Sequence, residues 1–480
     1  MTAHPSDFLT TPKTCRRLWI GVLLALCLSC SPLVAQSGPI DWPKTQDEAV
    51  VILQNLIRLD TSNPPGHEIL AAQQLKRIFD EAGIESSVYE SAPGRGNIVA
   101  RLKGDGSKRP VLLLGHLDVV GVERDHWTMD PFGGEIKGGR LYGRGAADMK
   151  SLVATEVMTL LLAKRSAIPL HRDLIFAGVA DEESSSEYGI QYLILNHWPE
   201  IEAEFSFNEG GRIESSPRTG KVDWVGIQTT EKRPYNLRVI ARGTSAHASL
   251  ETPDSPIYTL ARALVRLSEY QPPLKLNETT RKYVEEIGEL EHLPGDWYEE
   301  SHKVRSGAGP HAHDDGPGQS LALYATLHDT ISPTILAGGY RSNVIPAEAE
   351  VNLNCRLLPD TDIVEFVDTL KKVIHEEQVE IKYQSDSRPR TSPTPYATAA
   401  FKAYEKVVKK TLGATIPLIP IMGTGATDSS FLRSHGMASY GIDPFLEDHP
   451  SNAHGNDESI SLKGYRDGVK FLFEVIERLQ

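Results

Sequence analysis

The most restrictive stretch of this sequence is a short apolar run that is followed directly by potential metal ligands. Val111 to Leu114 form a continuous apolar segment typical of a buried strand, and Gly115, His116 and Asp118 come next. In an extended chain His116 and Asp118 point to the same side. Because a metal-binding imidazole usually needs an acceptor on its second ring nitrogen, this pair indicates a histidine ligand with a carboxylate behind it. A lone histidine after a strand is more often structural, so the interpretation depends on the rest of the chain.

Carboxylates follow three further segments of the sequence. Asp148 comes after a glycine-rich turn, whereas the triplet Asp181-Glu182-Glu183 and Glu209 each come after an apolar run. Three adjacent acids in a loop are ordinarily a solvated charge cluster. At the end of a buried strand the same acids would repel one another unless a cation lay between them. Because ligands gather beyond the carboxyl ends of strands in such sheets, we expect these side chains to meet around bound metal.

Helical and strand-like segments alternate near both ends of the sequence. Apolar residues recur at helical spacing in 45–60, 67–82 and 150–164, and strand-like runs lie between and after them. The alternation resumes after residue 391 and ends with a helix at 462–479. This pattern predicts an α/β catalytic domain of three layers, with helices on both faces of a mostly parallel sheet.

The length and the middle of the chain predict a second domain. At 480 residues the chain is longer than one hydrophobic core usually supports. From 222 to 390 alternating strands and helices follow a β-α-β order without parallel crossovers, which predicts an α+β domain of the ferredoxin-like type. Residues 38–221 and 391–480 are then the two parts of the catalytic domain, and the smaller domain is inserted between them.

One segment within the smaller domain has its own composition. Residues from about 274 to 321 are polar and rich in charge, glycine and histidine. We interpret this segment as an insertion on the smaller domain. His311 and His313 lie close together in it, which leaves open a second metal site there.

Residues 1–37 are expected to be a signal peptide. Two arginines precede an apolar run from Leu18 to Cys30, which is too short for a membrane span of about 20 residues. Cleavage after Ser37 would give a mature protein without a transmembrane helix in an extracytoplasmic location, either periplasmic or secreted. The alternative is a lipid anchor at Cys30.

The charge of the chain excludes some partners. The formal net charge is −14, and the sequence contains no basic patch. Nucleic acids and anionic membrane surfaces would therefore repel this protein. The expected partner is a small molecule rather than a polyanion.

Five short motifs occur in an order that resembles one enzyme family. They are GHLDVV, GRGAADMK, DEE, NEGG and HGNDE, which begin at residues 115, 143, 181, 208 and 454. Together they resemble the M20 family of metallopeptidases and amidohydrolases, which includes succinyl-diaminopimelate desuccinylase, aminoacylase, acetylornithine deacetylase and the glutamate and Gly-Xaa carboxypeptidases. The resemblance covers nearly all of the chain after the N-terminal segment. It implies a zinc-exopeptidase-like catalytic domain whose inserted domain is a lid, often used to form a homodimer.

The resemblance also implies a site for two divalent metal ions. His116, Asp148 and Glu209 would hold one ion, and His454, Glu183 and the second oxygen of Asp148 would hold the other. Mixed imidazole and carboxylate ligands suit Zn²⁺ best, although Co²⁺ or Mn²⁺ can replace it in such a set. Two ions close together polarise the carbonyl group under attack and lower the pKa of water.

Three further residues acquire catalytic roles by the same resemblance. Glu182 would be the general base, which takes a proton from the attacking water and delivers it to the leaving amine. The alternative is that Glu182 is a third ligand or a surface acid. Asp118 would orient His116. His247 would stabilise the tetrahedral oxyanion, and in dimeric relatives this histidine reaches the neighbouring subunit's site.

Substrate contacts are implied for three more positions. Asn343 and Arg356 resemble the pair that holds the free carboxylate of the substrate, a task suited to a planar guanidinium. Gly425 lies in a glycine-rich loop that can add backbone N–H donors to the same carboxylate.

The expected activity is therefore that of a secreted two-metal hydrolase. It would cleave a peptide or N-acyl amide bond next to a free carboxylate, as a dipeptidase, carboxypeptidase or N-acyl-amino-acid hydrolase. Glutamate at position 209 resembles the aminoacylase and Gly-Xaa carboxypeptidase branches of the family. One alternative is a biosynthetic deacylase, either a desuccinylase or a deacetylase. The substrates of such enzymes are cytoplasmic, which does not match the extracytoplasmic location expected here. The other is a binding protein that kept the fold and lost the chemistry.

Overall fold

The structure of the chain is a computed structural model that describes residues 39–480 except 217–218, 303–320 and 384–387. The expected signal peptide at 1–37 and the histidine pair at 311 and 313 lie outside the described residues. Among the described helices, none is both long enough and apolar enough to cross a bilayer.

Helices and strands alternate along most of the described chain. The α-helices are α1 (Trp42–Ile57), α2 (Ile69–Glu81), α3 (Lys150–Ser166), α4 (Ile190–Ile201), α5 (Pro256–Glu269), α6 (Glu278–Leu290), α7 (Leu321–Leu327), α8 (Ile363–Ile374), α9 (Ala399–Thr411), α10 (Ser429–Ser434) and α11 (Leu462–Leu479), with short 3₁₀ turns at Arg124–His126 and Trp297–His302. The strands are β1 (Glu85–Ala92), β2 (Arg95–Leu102), β3 (Val111–His116), β4 (Glu135–Lys137), β5 (Arg140–Tyr142), β6 (Leu174–Val179), β7 (Phe205–Glu209), β8 (Arg212–Ser215), β9 (Val222–Glu231), β10 (Arg233–Arg242), β11 (Ala246–His247), β12 (Thr330–Gly338), β13 (Val344–Ile345), β14 (Glu348–Leu357), β15 (Val379–Tyr383), β16 (Leu418–Gly423), β17 (Ala438–Ile442) and β18 (Ser459–Ser461).

The large sheet is mixed, with parallel strands at its centre. Its order is β1-β2-β6-β3-β7-β17-β9-β16, and β8 pairs with β9. The strands β6, β3, β7 and β17 run parallel to their neighbours within that group. Antiparallel pairs join β1 to β2, β2 to β6 and β17 to β9. The predicted α/β class is confirmed, but the sheet is less parallel than expected because β1 returns to β2 through a tight turn instead of a helix.

Helices cover both faces of this sheet, as the continuous apolar run in β3 requires. Val111 and Leu113 face a core formed with α1, α2, α3, α9 and α11. Leu112 and Leu114 face the opposite core, which is formed with α4 and α10. Because successive side chains in a strand point to opposite faces, a strand buried on both faces must be apolar at every position. The three-layer arrangement is confirmed.

The smaller sheet has four antiparallel strands in the order β12-β14-β10-β15. In chain order the unit reads β10, α5, β12, β14, α8, β15, which is the ferredoxin-like arrangement predicted from the sequence. Alternate residues of β14 are buried against α5 and α8, so one face of the sheet carries the core of this unit.

Two segments assigned to the smaller domain pack with the large sheet instead. The strand β9, at 222–231, pairs with β16 and β17. The helix α6, which lies in the expected insertion, packs Val284 and Ile287 against Trp224 and Ile419 of the large sheet. An apolar stripe on an otherwise charged helix explains why this polar segment still has a buried face.

The two sheets are joined by one buried residue. Lys232 alone separates β9 from β10, and its side chain is completely buried. Its Nζ donates hydrogen bonds to the carbonyl oxygens of Ala325 and His328, at 2.9 and 2.7 Å, and to the Thr330 hydroxyl at 3.3 Å. These three acceptors replace the water that the ammonium group loses on burial.

Candidate metal centre

Three neighbouring parallel strands end at the same edge of the large sheet. β3 ends at His116, β7 ends at Glu209, and β6 leads into the acidic turn at 181–183. Since the order is β6-β3-β7, His116 lies between the two carboxylate-bearing ends. The edge at which the strands deliver these side chains is the usual place for a ligand in an α/β sheet.

His116 is buried among acceptors. Its Nε2 lies 3.0 Å from Oδ1 of Asp148 and 3.7 Å from Oε1 of Glu209. On the other side of the ring, Nδ1 lies 2.9 Å from the backbone oxygen of Asp118 and 3.6 Å from the carboxylate of the same residue. The acceptor expected behind the imidazole is therefore present, and the shorter contact is made by the backbone rather than the carboxylate.

The Asp118 carboxylate holds the acidic turn. Its two oxygens accept hydrogen bonds from the backbone N–H groups of Glu182 and Glu183, each at 3.1 Å. The Asn63 amide donates to the same carboxylate at 2.9 Å and to Asp181 at 3.1 Å. One buried side chain thus fixes the turn that presents Glu182 and Glu183, a role that the spacing of His116 and Asp118 did not reveal.

Asp148 lies between the two histidines. Its Oδ1 faces His116, and its Oδ2 is 3.1 Å from Nε2 of His454. The same His454 nitrogen is 3.1 Å from Oε1 of Glu183. Burial opposes ionisation of Asp148, but hydrogen bonds with the two histidines lower the pKa of its carboxyl group. The carboxylate is placed to serve both halves of the cluster.

The donor set fits divalent metal. Two groups of side chains could each hold a metal ion, because within each group the possible ligand atoms lie within 4.8 Å of one another. One group is His116, Asp148 and Glu183, and the other is His116, Glu182 and Glu209. Burial and the neighbouring Asp148 raise the pKa of Glu209, because two carboxylates at this spacing repel each other. Divalent cations would relieve that repulsion, and carboxylate and imidazole are ligands that zinc accepts. The contacts of His116 and His454 with Asp148, Glu183 and Glu209 thus bring all five predicted ligands into one cluster.

A residue of the last motif positions the loop that carries Asp148. The buried Glu458 accepts hydrogen bonds from the backbone N–H groups of Gly145, Ala147 and Asp148, at 3.0, 2.8 and 3.0 Å. Arg144 Nη1 donates to the same carboxylate at 2.6 Å. The motif HGNDE contains Glu458, but only the fold shows that this residue contacts a loop about 310 positions earlier.

Arg388 contacts Glu182. Its Nη2 donates to Oε1 of Glu182 at 3.1 Å, and its Nη1 donates to the backbone oxygen of Thr427. Burial raises the pKa of Glu182, although the positive charge of Arg388 opposes this effect. Arg388 was not identified from the sequence because it belongs to none of the five motifs.

A cleft of about 810 Å³ opens from the cluster and contains two of the three predicted substrate residues. Arg356 lines it together with Arg388, and Gly425 lies in the loop 423–427 along one wall. Among the described residues, Arg356 Nε donates one long hydrogen bond, 3.3 Å, to Oδ1 of Asn354. Burial and the positive charge of the nearby Arg388 lower the pKa of Arg356.

His247 and Asn343 lie together but do not line this cleft. His247 ends β11 and Asn343 directly precedes β13, its antiparallel partner, and just beyond this pair Ala248 N donates to the Asn343 carbonyl at 3.0 Å. Both residues are exposed, and His247 Nδ1 lies 2.8 Å from the Ser249 hydroxyl. The fold of one chain therefore places these two predicted site residues at the surface rather than beside Asp148.

Comparison with known proteins links most of the chain to one family. The sequence profile of peptidase family M20/M25/M40 matches residues 112–478. The N-fatty-acyl-amino acid synthase/hydrolase PM20D1 of Homo sapiens is 28% identical over 384 residues, which cover 78% of this chain and 74% of that protein.

Two solved structures have a similar fold. The M20 family metallo-carboxypeptidase Sso-CP2 from Sulfolobus solfataricus matches with a TM-score of 0.69 and 20% identity, over 90% of this chain and 99% of that one. The YXEP protein of Bacillus subtilis, described as a dinuclear metal binding peptidase, matches with a TM-score of 0.58 and 12% identity, over 91% and 98% of the two chains.

Replacing Glu458 with glutamine is expected to weaken zinc binding about 10- to 100-fold. An amide group turns one acceptor into a donor that faces backbone N–H groups, so the loop carrying Asp148 loses its fixed position. Competition with a chromophoric chelator measures the affinity. Asp457→Asn is the matched control, because Asp457 binds Thr128 at the surface and should leave zinc affinity unchanged. Equal zinc affinity in the wild type and Glu458→Gln would contradict the positioning role.

Proposed function

Since the chain belongs to peptidase family M20/M25/M40 and is a hydrolase of amide bonds, we propose that its substrate is a small peptide or N-acyl amino acid with a free carboxylate. The observation that carries the proposal is one cleft lined by both the ligand cluster, at Asp148 and Glu209, and the Arg356 guanidinium. A metal cluster alone suits any amide, whereas the arginine adds a receptor for a carboxylate. The names of the human and Sulfolobus relatives, an N-fatty-acyl-amino acid hydrolase and a carboxypeptidase, support this class.

The chain offers ligands for two metal ions. His116, Asp148 and Glu209 would hold one, and His454, Glu183 and Asp148 would hold the other, most suitably as zinc. The description of the Bacillus relative as a dinuclear peptidase supports two ions. When bound, the ions polarise the scissile carbonyl and lower the pKa of the attacking water.

Glu182 is the proposed general base. Its carboxylate lies within the ligand cluster and is held by Arg388, so it faces the place where the scissile bond must lie. The water oxygen bonds to the carbonyl carbon, the C–N bond breaks, and Glu182 carries the water's proton to the leaving nitrogen. The products are a carboxylic acid and an amine with a free carboxylate.

The carboxylate of the substrate is proposed to bind between Arg356 and the loop at 423–427. Arg356 has no acidic partner among the described residues. Because the positive charge of the nearby Arg388 repels it, binding of an anion beside Arg356 is favourable. A guanidinium can bind a carboxylate through two parallel hydrogen bonds. Substrates whose carboxylate is blocked should therefore bind poorly.

We expect the zinc-loaded protein to hydrolyse dipeptides or N-acyl amino acids and to lose that activity on thorough chelation. Re-addition of zinc should restore the activity.

The matched substrates are the C-terminal carboxamides, which should be cleaved at least about 10-fold less efficiently, since the charged hydrogen bonds to Arg356 are lost. Activity that survives chelation would overturn the metal assignment, and equal cleavage of the amides would overturn the carboxylate site.

Glu182→Gln should lower kcat by about 10²- to 10⁴-fold and leave zinc content unchanged. The amide keeps the size of the side chain but cannot accept the water's proton. Rates and metal analysis on the same sample provide the measurement. Glu187→Gln, an exposed acid of the same loop, serves as the control. Substantial activity in Glu182→Gln would refute its role as the base.

We also propose that two copies pair through the smaller sheet. β12 is the edge strand of that sheet, and its Ile335 and Leu336 are each 67% exposed. An apolar edge strand is a ready surface for pairing with another strand. A second copy could supply His247 to the cleft, which would account for its distance from the cleft of its own chain.

The double variant Ile335→Lys with Leu336→Lys should sediment at half the mass of the wild type. Its activity should fall about 100-fold, because an oxyanion donor from the second copy is lost. Analytical ultracentrifugation and kcat measure the two effects. Leu195→Lys, at a residue that is 82% exposed on α4, is the control. A fully active wild type that sediments as a single chain would refute the pairing.

An extracytoplasmic location is proposed from the arginine pair and apolar run near the N-terminus. Scavenging of nutrient peptides or acyl amino acids suits that location. N-terminal sequencing of the mature protein distinguishes cleavage after Ser37 from a lipid anchor at Cys30.

A further inference from the structure

A second and smaller pocket meets the cleft at the ligand cluster. It has a volume of about 210 Å³, and it shares Asp148, Glu209 and Gly210 with the larger cleft. Neither Arg356 nor Arg388 lines it. The reacting bond must lie at the shared residues, so a substrate that spans this point has one half in each cavity. We call the smaller cavity the amino-side pocket.

The amino-side pocket combines apolar walls with carboxylates. Its apolar lining includes Met149, Leu152, Phe445 and Ile460, and in the described part of the chain no lysine, arginine or histidine contributes to it. The volume is below the 300 to 1,000 Å³ typical of pockets for drug-sized ligands. A group the size of one amino-acid side chain fits this space, whereas a long acyl chain would have to leave it.

Asp443 is the carboxylate of this pocket that lacks a positive partner. It follows Ile442, whose Cα pairs with that of Glu209 in the neighbouring strand, so Asp443 lies beside the end of β7. Its Oδ1 accepts one hydrogen bond, from Phe445 N at 2.9 Å. No cationic side chain among the described residues pairs with it, and burial raises the pKa of its carboxyl group to about 7.

The three other carboxylates of the pocket already have partners, and two of them, Asp148 and Glu209, lie 3.0 and 3.7 Å from Nε2 of His116. Glu447 Oε2 lies 2.7 Å from Nη2 of Arg140, and the carboxylate also accepts from Ser461 N. Asp443 is therefore the carboxylate in this pocket whose positively charged partner a bound ligand can provide.

We propose that the amino-side pocket holds the residue on the amino side of the scissile bond, and that Asp443 binds its free α-ammonium group. This inference rests on the proposed function, and it narrows the substrate class to unblocked dipeptides. The charges of the two cavities then match a dipeptide zwitterion, with Arg356 for its carboxylate and Asp443 for its ammonium group. An N-acyl group supplies no positive charge, so Asp443 would either carry an unpaired charge or take up a proton and lose its attraction for the ligand.

The test compares two substrates that differ only in the ammonium group. They are leucyl-leucine and 4-methylpentanoyl-leucine, in which hydrogen replaces the amine. For the zinc-loaded wild type, kcat/KM should be about 10- to 100-fold higher for leucyl-leucine, the range expected for a hydrogen bond between charged groups. Equal or faster cleavage of 4-methylpentanoyl-leucine would overturn the proposal.

The variant Asp443→Asn assigns the preference to one residue. It keeps an oxygen for Phe445 N and removes the charge, so it should lower kcat/KM for leucyl-leucine about 10-fold or more and leave 4-methylpentanoyl-leucine unchanged. Asp448→Asn removes a charge five residues along the same loop, outside the pocket, and should keep the wild-type preference. An equal loss on both substrates in Asp443→Asn would overturn the assignment.

Product binding separates this proposal from the proposed function. Calorimetric titration of the zinc-loaded protein with leucine and with 4-methylpentanoate reports on the pocket without turnover. Leucine should bind about 10-fold more tightly to the wild type, and Asp443→Asn should remove the difference. If neither substrate is cleaved but this difference is found, the proposed function fails and the pocket assignment stands. Equal binding of the two products overturns the pocket assignment whatever the activity.

Discussion

The candidate metal centre depends on the buried carboxylate of Asp118. Its oxygens accept the backbone N–H groups of Glu182 and Glu183, while its backbone oxygen contacts the ring of His116. Burial disfavours the charge, but hydrogen bonds and the nearby imidazole lower the pKa of this carboxyl group, so it stays ionised. The turn that follows β6 is thereby fixed to the end of β3. Adjacent acids that would repel each other in a free loop keep one defined arrangement.

Local sequence patterns identified the residues whose position follows from their own strand. His116 and Glu209 end buried strands, so an apolar run and a polar stop were enough to find them. Arg388 and Glu458 could not be found in this way, because their contacts cross about 206 and 310 positions of the chain. The strand at 222–231 shows a related limit. Its alternation fits either sheet, and only its pairing with β16 and β17 decides which one it joins.

Charge separates the two cavities that meet at Asp148. Both are lined by Asp148 and Glu209, but guanidinium groups line only the larger one, and Asp443 lies among apolar side chains of the smaller one. Because each charge is partly removed from water, each is stabilised most by an opposite charge on the ligand. The distance between Arg356 in the larger cavity and Asp443 in the smaller one, rather than the ligand cluster, then limits the length of substrate that fits. The family resemblance located the cluster, whereas the cavities that flank it were visible only in the folded chain.

The passage of the chain between the sheets through Lys232 has a mechanical consequence. Arg356 lies on β14, which pairs with β10, and β10 continues from β9 with no loop between them. The connection at this point has no flexible loop that could accommodate a rotation of the smaller sheet. Its single residue, Lys232, is held by hydrogen bonds from Nζ to three oxygens. Such a rotation would have to bend β9 itself, and β9 is the neighbour of β17, the strand that leads to Asp443. Arg356 at one end of a bound ligand and Asp443 at the other are thus connected through β14, β10, Lys232, β9 and β17 with no flexible loop along that path.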